Sequence, residues 1–157
     1  VEVLNENIPN LNYSTTIFAG TATAGIAPAY ALASRVGAGF VYVRSKAKDH
    51  GLKSLVEGVV PPKSQIIVVD DMVTTGGSIL QAVESLKKEF THSTVLCATS
   101  ISRHEIQNTL KNFQNHSCRL ISIFRTAEVF EEAFNLELID KSTLNVISHW
   151  MTDLNEN

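Results

Sequence analysis

Two cysteines, Cys97 and Cys118, are all that the 157 residues carry. So few exclude a disulfide scaffold, and no CxxC or Cys/His cluster offers a structural zinc site. Each lies in or beside an apolar run, which predicts a buried free thiol in a reducing compartment. Basic residues are also short, with 13 Lys and Arg against 16 Asp and Glu and a net charge of -3. A general nucleic-acid binder would show a basic excess, so no nucleic-acid partner is expected. A local cationic site for a small polyanion is still allowed. Long hydrophobic runs are missing too. The most apolar stretch, 17–33, is broken by threonines, glycines and Pro28, and Arg35 follows. It is too short and too polar to span a bilayer. The opening VEVLNENIPN has neither the basic nor the apolar region of a signal peptide. No membrane partner and a cytoplasmic location are therefore expected.

What is present is 44% hydrophobic content with 18% charge, enough for one domain with a buried core. Continuous apolar runs predict strands at 15–19 (TTIFA), 40–43 (FVYV), 65–69 (QIIVV), 94–98 and 120–124. Helical spacing predicts helices at 24–36, 78–90, 103–113, 127–134 and 144–154. Pro28 falls in the first turn of its helix, where the ring is tolerated. Residues 1–14 read as a loop or frayed helix end, and 44–59 as a mobile polar loop closed by Pro61 and Pro62. Strands that alternate with helices and are apolar throughout indicate a parallel sheet covered on both faces. The expected fold is α/β, a doubly wound, mostly parallel, five-stranded sheet flanked by helices. In such folds ligands lie beyond the carboxyl ends of the strands. The segments to examine are therefore 20–25, 44–51, 70–78 and 99–104.

The strongest signal is IIVVDDMVTTGGS, residues 66–78. A buried strand delivers two adjacent carboxylates, Asp70 and Asp71. A turn of small residues, Thr74, Thr75, Gly76, Gly77 and Ser78, then leads into a helix. Glycines let backbone N–H groups come close to an anion, the helix N-terminus adds partial positive charge, and the hydroxyls add donors. That is a cradle for one phosphate. Neighbouring carboxylates suit a diol, so the combination describes a ribose 5-phosphate. A generic strand-turn-helix accounts for one acid and one glycine, but not for two carboxylates that repel unless something binds them. No lysine follows the glycines, which excludes a Walker A loop. Residues 20–25 (GTATAG) fail the GxGxxG dinucleotide pattern because residue 22 is Ala.

IIVVDDMVTTGGS resembles the PRPP-binding signature of the type I phosphoribosyltransferases. VRSKAKDHG, residues 43–51, is similar to the flexible catalytic loop of the orotate phosphoribosyltransferases, and IFAGTATAGIAPAYALA to their strand, pyrophosphate loop and helix. Order and spacing match over roughly residues 15–104, and the C-terminal helices are compatible. The residues of the loop agree: Arg44, Lys46, Lys48 and His50 put three fixed cations and a titratable donor within seven positions. Alone, such a run is usually a solvated surface. Beside a ribose-phosphate cradle it is a clamp for pyrophosphate and a lid that excludes water.

The resemblance implies transfer of ribose 5-phosphate from PRPP to orotate, giving orotidine 5'-monophosphate and pyrophosphate. By position, Lys48 and His50 are the catalytic pair, and with Arg44 they bind the pyrophosphate. Thr21, Ala22, Thr23, Ala24 and Gly25 line its other side. Asp70 and Asp71 hold the ribose hydroxyls, and Thr74, Thr75, Gly76, Gly77 and Ser78 the 5-phosphate. Thr74 also touches the base, and Arg103 in SISRHE faces the orotate carboxylate. Mg²⁺ rides on PRPP and pyrophosphate oxygens, with no metal site on the protein itself. The family also implies a homodimer whose loop is shared across the interface.

Three departures accompany the match. Ser45 stands where many members carry a second lysine, and Ala24 where some carry a pyrophosphate-contacting lysine. Nothing in VEVLNENIPNLNY resembles the family's N-terminal hood, so the expectation is a single core domain, 1–157, without an evident hood. Two alternatives accompany the orotate reading: transfer to a purine base, which the KDHG loop disfavours, and a PRPP-sensing module without turnover, which Lys48 and His50 disfavour. His92, His104, His116 and His149 are scattered without metal-ligand spacing. Trp150 with Ile147 and Met151 reads as helix packing.

Overall fold

The central strand β4, Gln65–Val73, owes its place to Ile66, Ile67, Val68 and Val69, all essentially without solvent exposure. β-branched side chains pack well on a pleated surface, and a strand apolar on both faces belongs inside a sheet covered on both sides. The computed structural model describes residues 1–45, 54–103 and 109–156, with side chains at 1–45, 54–100 and 109–153. Around β4 run β1 (Thr16–Thr21), β2 (Gly39–Val43), β3 (Val56–Glu57), β5 (Thr94–Arg103) and β6 (Arg119–Arg125). Their order is β3-β2-β1-β4-β5-β6. Every neighbouring pair is parallel except β2 with β3.

Two hydrophobic layers hold this sheet. On one face α1 (Glu2–Asn7) and α2 (Ile26–Val36) cover Phe18, Ile67, Val69, Cys97 and Ile121, with Leu4, Ala29 and Ala33 turned inward. The small alanines let α2 approach closely. On the other face α3 (Gly77–Glu89) and α4 (Thr109–Asn115) cover Ile66, Val68 and Ala98 with Ile79, Leu80, Val83, Leu86 and Phe113. Full burial of each large side chain stabilises the fold by about 1.5–3 kcal/mol. The register between β4 and β5 shifts after Ile66, which pairs with Val95 while Ile67 pairs with Cys97. Leu96 is thus the extra residue of a bulge. The α5 (Thr126–Asn135) and α6 (Lys141–Glu156) helices pack against each other, and α5 also against β6.

The doubly wound, mostly parallel arrangement is the expected one, with six strands rather than five. The sixth, β3, lies inside the predicted loop 44–59. A two-residue strand has no period to read, yet Val56 enters the core while Glu57 pairs with Tyr42. The opening segment, read as loop or frayed helix end, carries α1. Leu4 anchors that helix, and Arg119 donates to the Asn7 backbone oxygen at 2.8 Å and to its Oδ1 at 2.6 Å. The predicted helix 103–113 is helical over 109–113 and strand at Arg103, and its residues 104–108 lie outside the described residues. Strand β5 continues through Arg103, because its pairing with both β4 and β6 persists to that residue. Helix α4 is described over Thr109–Asn115. Likewise β4 runs on to Val73, so Asp70 and Asp71 lie in its last residues rather than after it. Among the described residues no helix is long and apolar enough to cross a membrane.

Candidate functional site

Strand order reverses at β1: the chain moves from β1 to β2 on one side, then returns to place β4 on the other. The crevice beyond the carboxyl ends of β1 and β4 is the point where doubly wound sheets bind ligands. Two turns meet there, residues 21–25 and 74–76.

The first turn is held close to the sheet. Ala22 N–H donates to Val43 O at 2.8 Å, Gly25 N–H to Thr21 O at 3.0 Å, and Thr21 Oγ1 to Val69 O at 3.4 Å. The Ala22–Thr23 peptide is cis. A Cβ on Gly25 would press into the Val69 carbonyl oxygen and the Thr21 hydroxyl. Only glycine allows this turn to lie against the end of β4. Thr23 and Ala24 are exposed at its tip.

The second turn follows β4. Asp70 is half-buried and Asp71 exposed. Asp70 Oδ1 accepts from the Asp71 backbone N–H at 3.0 Å, and Asp71 Oδ1 accepts from Met72 N–H at 2.7 Å. Burial pushes the Asp70 carboxyl above the usual carboxylate range. Hydrogen bonds from Thr21 and from the Asp71 backbone oppose that shift, and the neighbouring Asp71 side chain adds to it. A carboxylate partly stripped of water gains from hydroxyl donors. Gly76 then takes the left-handed conformation, φ +85°, as the residue preceding α3. It offers no side chain to cap the helix, so the first-turn N–H groups face outward, where an anion is favoured. A cavity of about 140 Å³ lies here, lined by Asp70 and residues 72–79.

Two side chains that the sequence does not single out stand behind this turn. Thr109 Oγ1 donates to Thr74 O at 2.6 Å, and a Cβ on Gly76 would sit 2.5 Å from Phe113 Cε2. Both side chains come from α4, and no local pattern in the sequence connects them with residues 74–76.

The structure gathers Thr21, Ala22, Thr23, Ala24 and Gly25, the two aspartates, and Thr74, Thr75, Gly76, Gly77 and Ser78 at one end of the sheet. Arg44 leaves β2 beside the first turn, its N–H donating to Leu55 O at 2.8 Å and its guanidinium facing Glu57 at 3.3 Å. The backbone of Arg103 is level with Val73, one residue before Thr74. Lys46, Lys48, His50 and His104 lie outside the described residues. Among the described residues no three His, Cys, Asp or Glu side chains gather as metal ligands. A larger concavity, about 870 Å³, opens between α5 and α6 and contains none of the predicted site residues.

The comparisons with known proteins point the same way. Residues 2–135 match the phosphoribosyl transferase domain. The chain is 33% identical over 137 residues to an orotate phosphoribosyltransferase of Enterococcus faecalis, covering 87% of this chain and 64% of that protein. It is 31% identical over 153 residues to the orotate phosphoribosyltransferase of Streptococcus gordonii, covering 98% and 70%. The crystal structure of orotate phosphoribosyltransferase from Aeropyrum pernix superposes with a TM-score of 0.69 at 32% identity, over 83% of this chain and 72% of that one. The chain thus spans a little under two thirds of the Enterococcus relative's length. With the sheet order, the acidic strand end and the glycine turn in agreement with a domain match over most of its length, the chain belongs to the phosphoribosyltransferase family.

Proposed function

We propose that this chain transfers ribose 5-phosphate from PRPP to N1 of orotate and releases pyrophosphate. One observation carries the reading. An acidic strand end and an uncapped helix start, suited to a ribose 5-phosphate, stand directly beside a second tight turn at the same sheet edge. A substrate carrying phosphate at one end of a ribose and pyrophosphate at the other fits that pairing.

In the proposed complex the backbone N–H groups of 75–78 and the hydroxyls of Thr74, Thr75 and Ser78 hold the 5-phosphate. Asp70 and Asp71 accept from the ribose hydroxyls. The turn 21–25 and Arg44 hold pyrophosphate, and Lys48 and His50 close over it. Thr74 and Arg103 face the base. The C1–oxygen bond breaks with its electron pair leaving on pyrophosphate, N1 of orotate supplies the pair for the new C1–N bond, and the N1 proton passes to a pyrophosphate oxygen. Fixed cations at the leaving group stabilise charge that grows in the transition state, and exclusion of water protects a cation-like ribosyl centre from hydrolysis.

The described donors offer two carboxylates and no cage of further ligands, which suits Mg²⁺ arriving as the PRPP complex. A homodimer, with the 44–51 loop of one copy reaching its neighbour's site, and a cytoplasmic location that keeps Cys97 and Cys118 reduced complete the reading. The test is the fall in orotate absorbance on mixing protein, orotate, PRPP and Mg²⁺, with adenine and guanine as competing acceptors. Conversion of orotate with stoichiometric pyrophosphate release is expected. PRPP binding without change in orotate would overturn the choice of base.

A further inference from the structure

The cradle turn needs a reason to keep its N–H groups aimed outward, since a glycine-rich loop has many conformations to choose from. The reason lies in α4. Thr109 is almost wholly buried, 1% exposed, and its hydroxyl donates to Thr74 O at 2.6 Å. Thr74 itself is exposed, so its carbonyl could otherwise turn toward water. A peptide unit is planar, and in the trans form its C=O and N–H point in opposite directions. The only cis bond among the described residues is Ala22–Thr23, so the Thr74–Thr75 unit is trans. Drawing the Thr74 carbonyl back into α4 therefore turns the Thr75 N–H the other way, toward the cavity lined by 72–79. One helical turn further on, the buried Phe113 ring lies directly under Gly76 and supports the next unit.

We propose that Thr109 is a positioning residue for the phosphate site, its hydroxyl fixing the Thr74–Thr75 peptide so that the Thr75 N–H faces the bound phosphate. This rests on the reading of residues 74–78 as a ribose 5-phosphate cradle. It also makes α4, which contributes no group to the ligand, a determinant of affinity for the phosphate end of PRPP. The pyrophosphate end, held by residues 21–25 and Arg44, has no such support from α4.

That asymmetry supplies the test. Thr109→Val keeps the shape and removes the hydroxyl, and Thr109→Ser keeps the hydroxyl and removes the methyl. Binding of ribose 5-phosphate and of magnesium pyrophosphate is measured by calorimetry on the full chain for each variant. Thr109→Val is expected to weaken ribose 5-phosphate about five- to tenfold, the loss of one orienting hydrogen bond. Pyrophosphate affinity stays within twofold, and Thr109→Ser restores ribose 5-phosphate binding. If Thr109→Val does not fold, Thr109→Ala in the same pair of titrations serves instead. Unchanged ribose 5-phosphate affinity, or equal loss for both ligands, overturns the proposal. Failure of the unaltered protein to bind ribose 5-phosphate overturns the cradle reading, and the proposal with it.

Discussion

Arg44 Nη1 lies 3.3 Å from Glu57 Oε1, so the cation that leaves β2 is tied to the short antiparallel edge strand rather than free in solvent. Both side chains are about one-third exposed, 35% and 28%. A pair so close to water stabilises a fold by no more than about 1 kcal/mol. Its consequence is positional: the guanidinium stays beside the turn whose Ala22 N–H is bonded to Val43 O.

Arg44→Met is therefore expected to leave the melting temperature within about 2 °C and to raise the KM for PRPP roughly tenfold, as for one lost charge-assisted contact. Thermal unfolding and initial-rate kinetics check both halves. A large drop in melting temperature with unchanged KM would assign Arg44 to the fold instead.

Asp70 gives a prediction of opposite sign for stability and binding. Its folded carboxyl pKa is raised, chiefly by burial. Between the unfolded value near 3.9 and that raised value, the folded state holds more protons than the unfolded one, so stability falls as pH rises through this window. Above it the destabilisation is complete. Asp70→Asn is therefore expected to raise the melting temperature at pH 7 by about 2 °C, with little effect at the acid end of the window, while abolishing PRPP binding. Scanning calorimetry across pH reads the first effect. A fall in melting temperature at pH 7 would contradict it.

Gly76 combines φ +85° with a Phe113 ring where a Cβ would go. Gly76→Ala meets left-handed strain of about 1–2 kcal/mol and overpacking of about 1–3 kcal/mol. Chemical denaturation should show that sum. Adding Phe113→Ala to Gly76→Ala should relieve the second part only, so a double-mutant cycle with no coupling would contradict the packing account.

Burial pushes the Cys97 thiol up to about 12 and raises Cys118 as well. Neither is expected to react with a thiol reagent in the native protein at pH 8, and both should react once it is unfolded. Rapid labelling of the folded protein would refute this.

Much of this architecture is legible in the chain. The run 66–69 is apolar at every position and rich in β-branched residues, as a strand covered on both faces requires, and the DDMVTTGGS that follows puts acids, hydroxyls and glycines where a strand meets a helix. What could not be read depends on distant partners. Thr109 and Thr74 are 35 residues apart, and their bond exists only because α4 lies behind the turn. Val56 and Glu57 become a strand only because β2 offers an open edge. Arg103 reads as the first residue of a helix until Val73 and Arg125 pair with it on both sides.

The central claim is that the acidic end of β4 and the turn after it seat the ribose 5-phosphate of PRPP. Titration of PRPP with Mg²⁺ into the full chain, beside the Asp70→Asn/Asp71→Asn variant, tests it most directly. Saturable heat at one equivalent per chain is expected for the unaltered protein and none for the folded variant. Equal heats from both, or none from the unaltered protein, would contradict it.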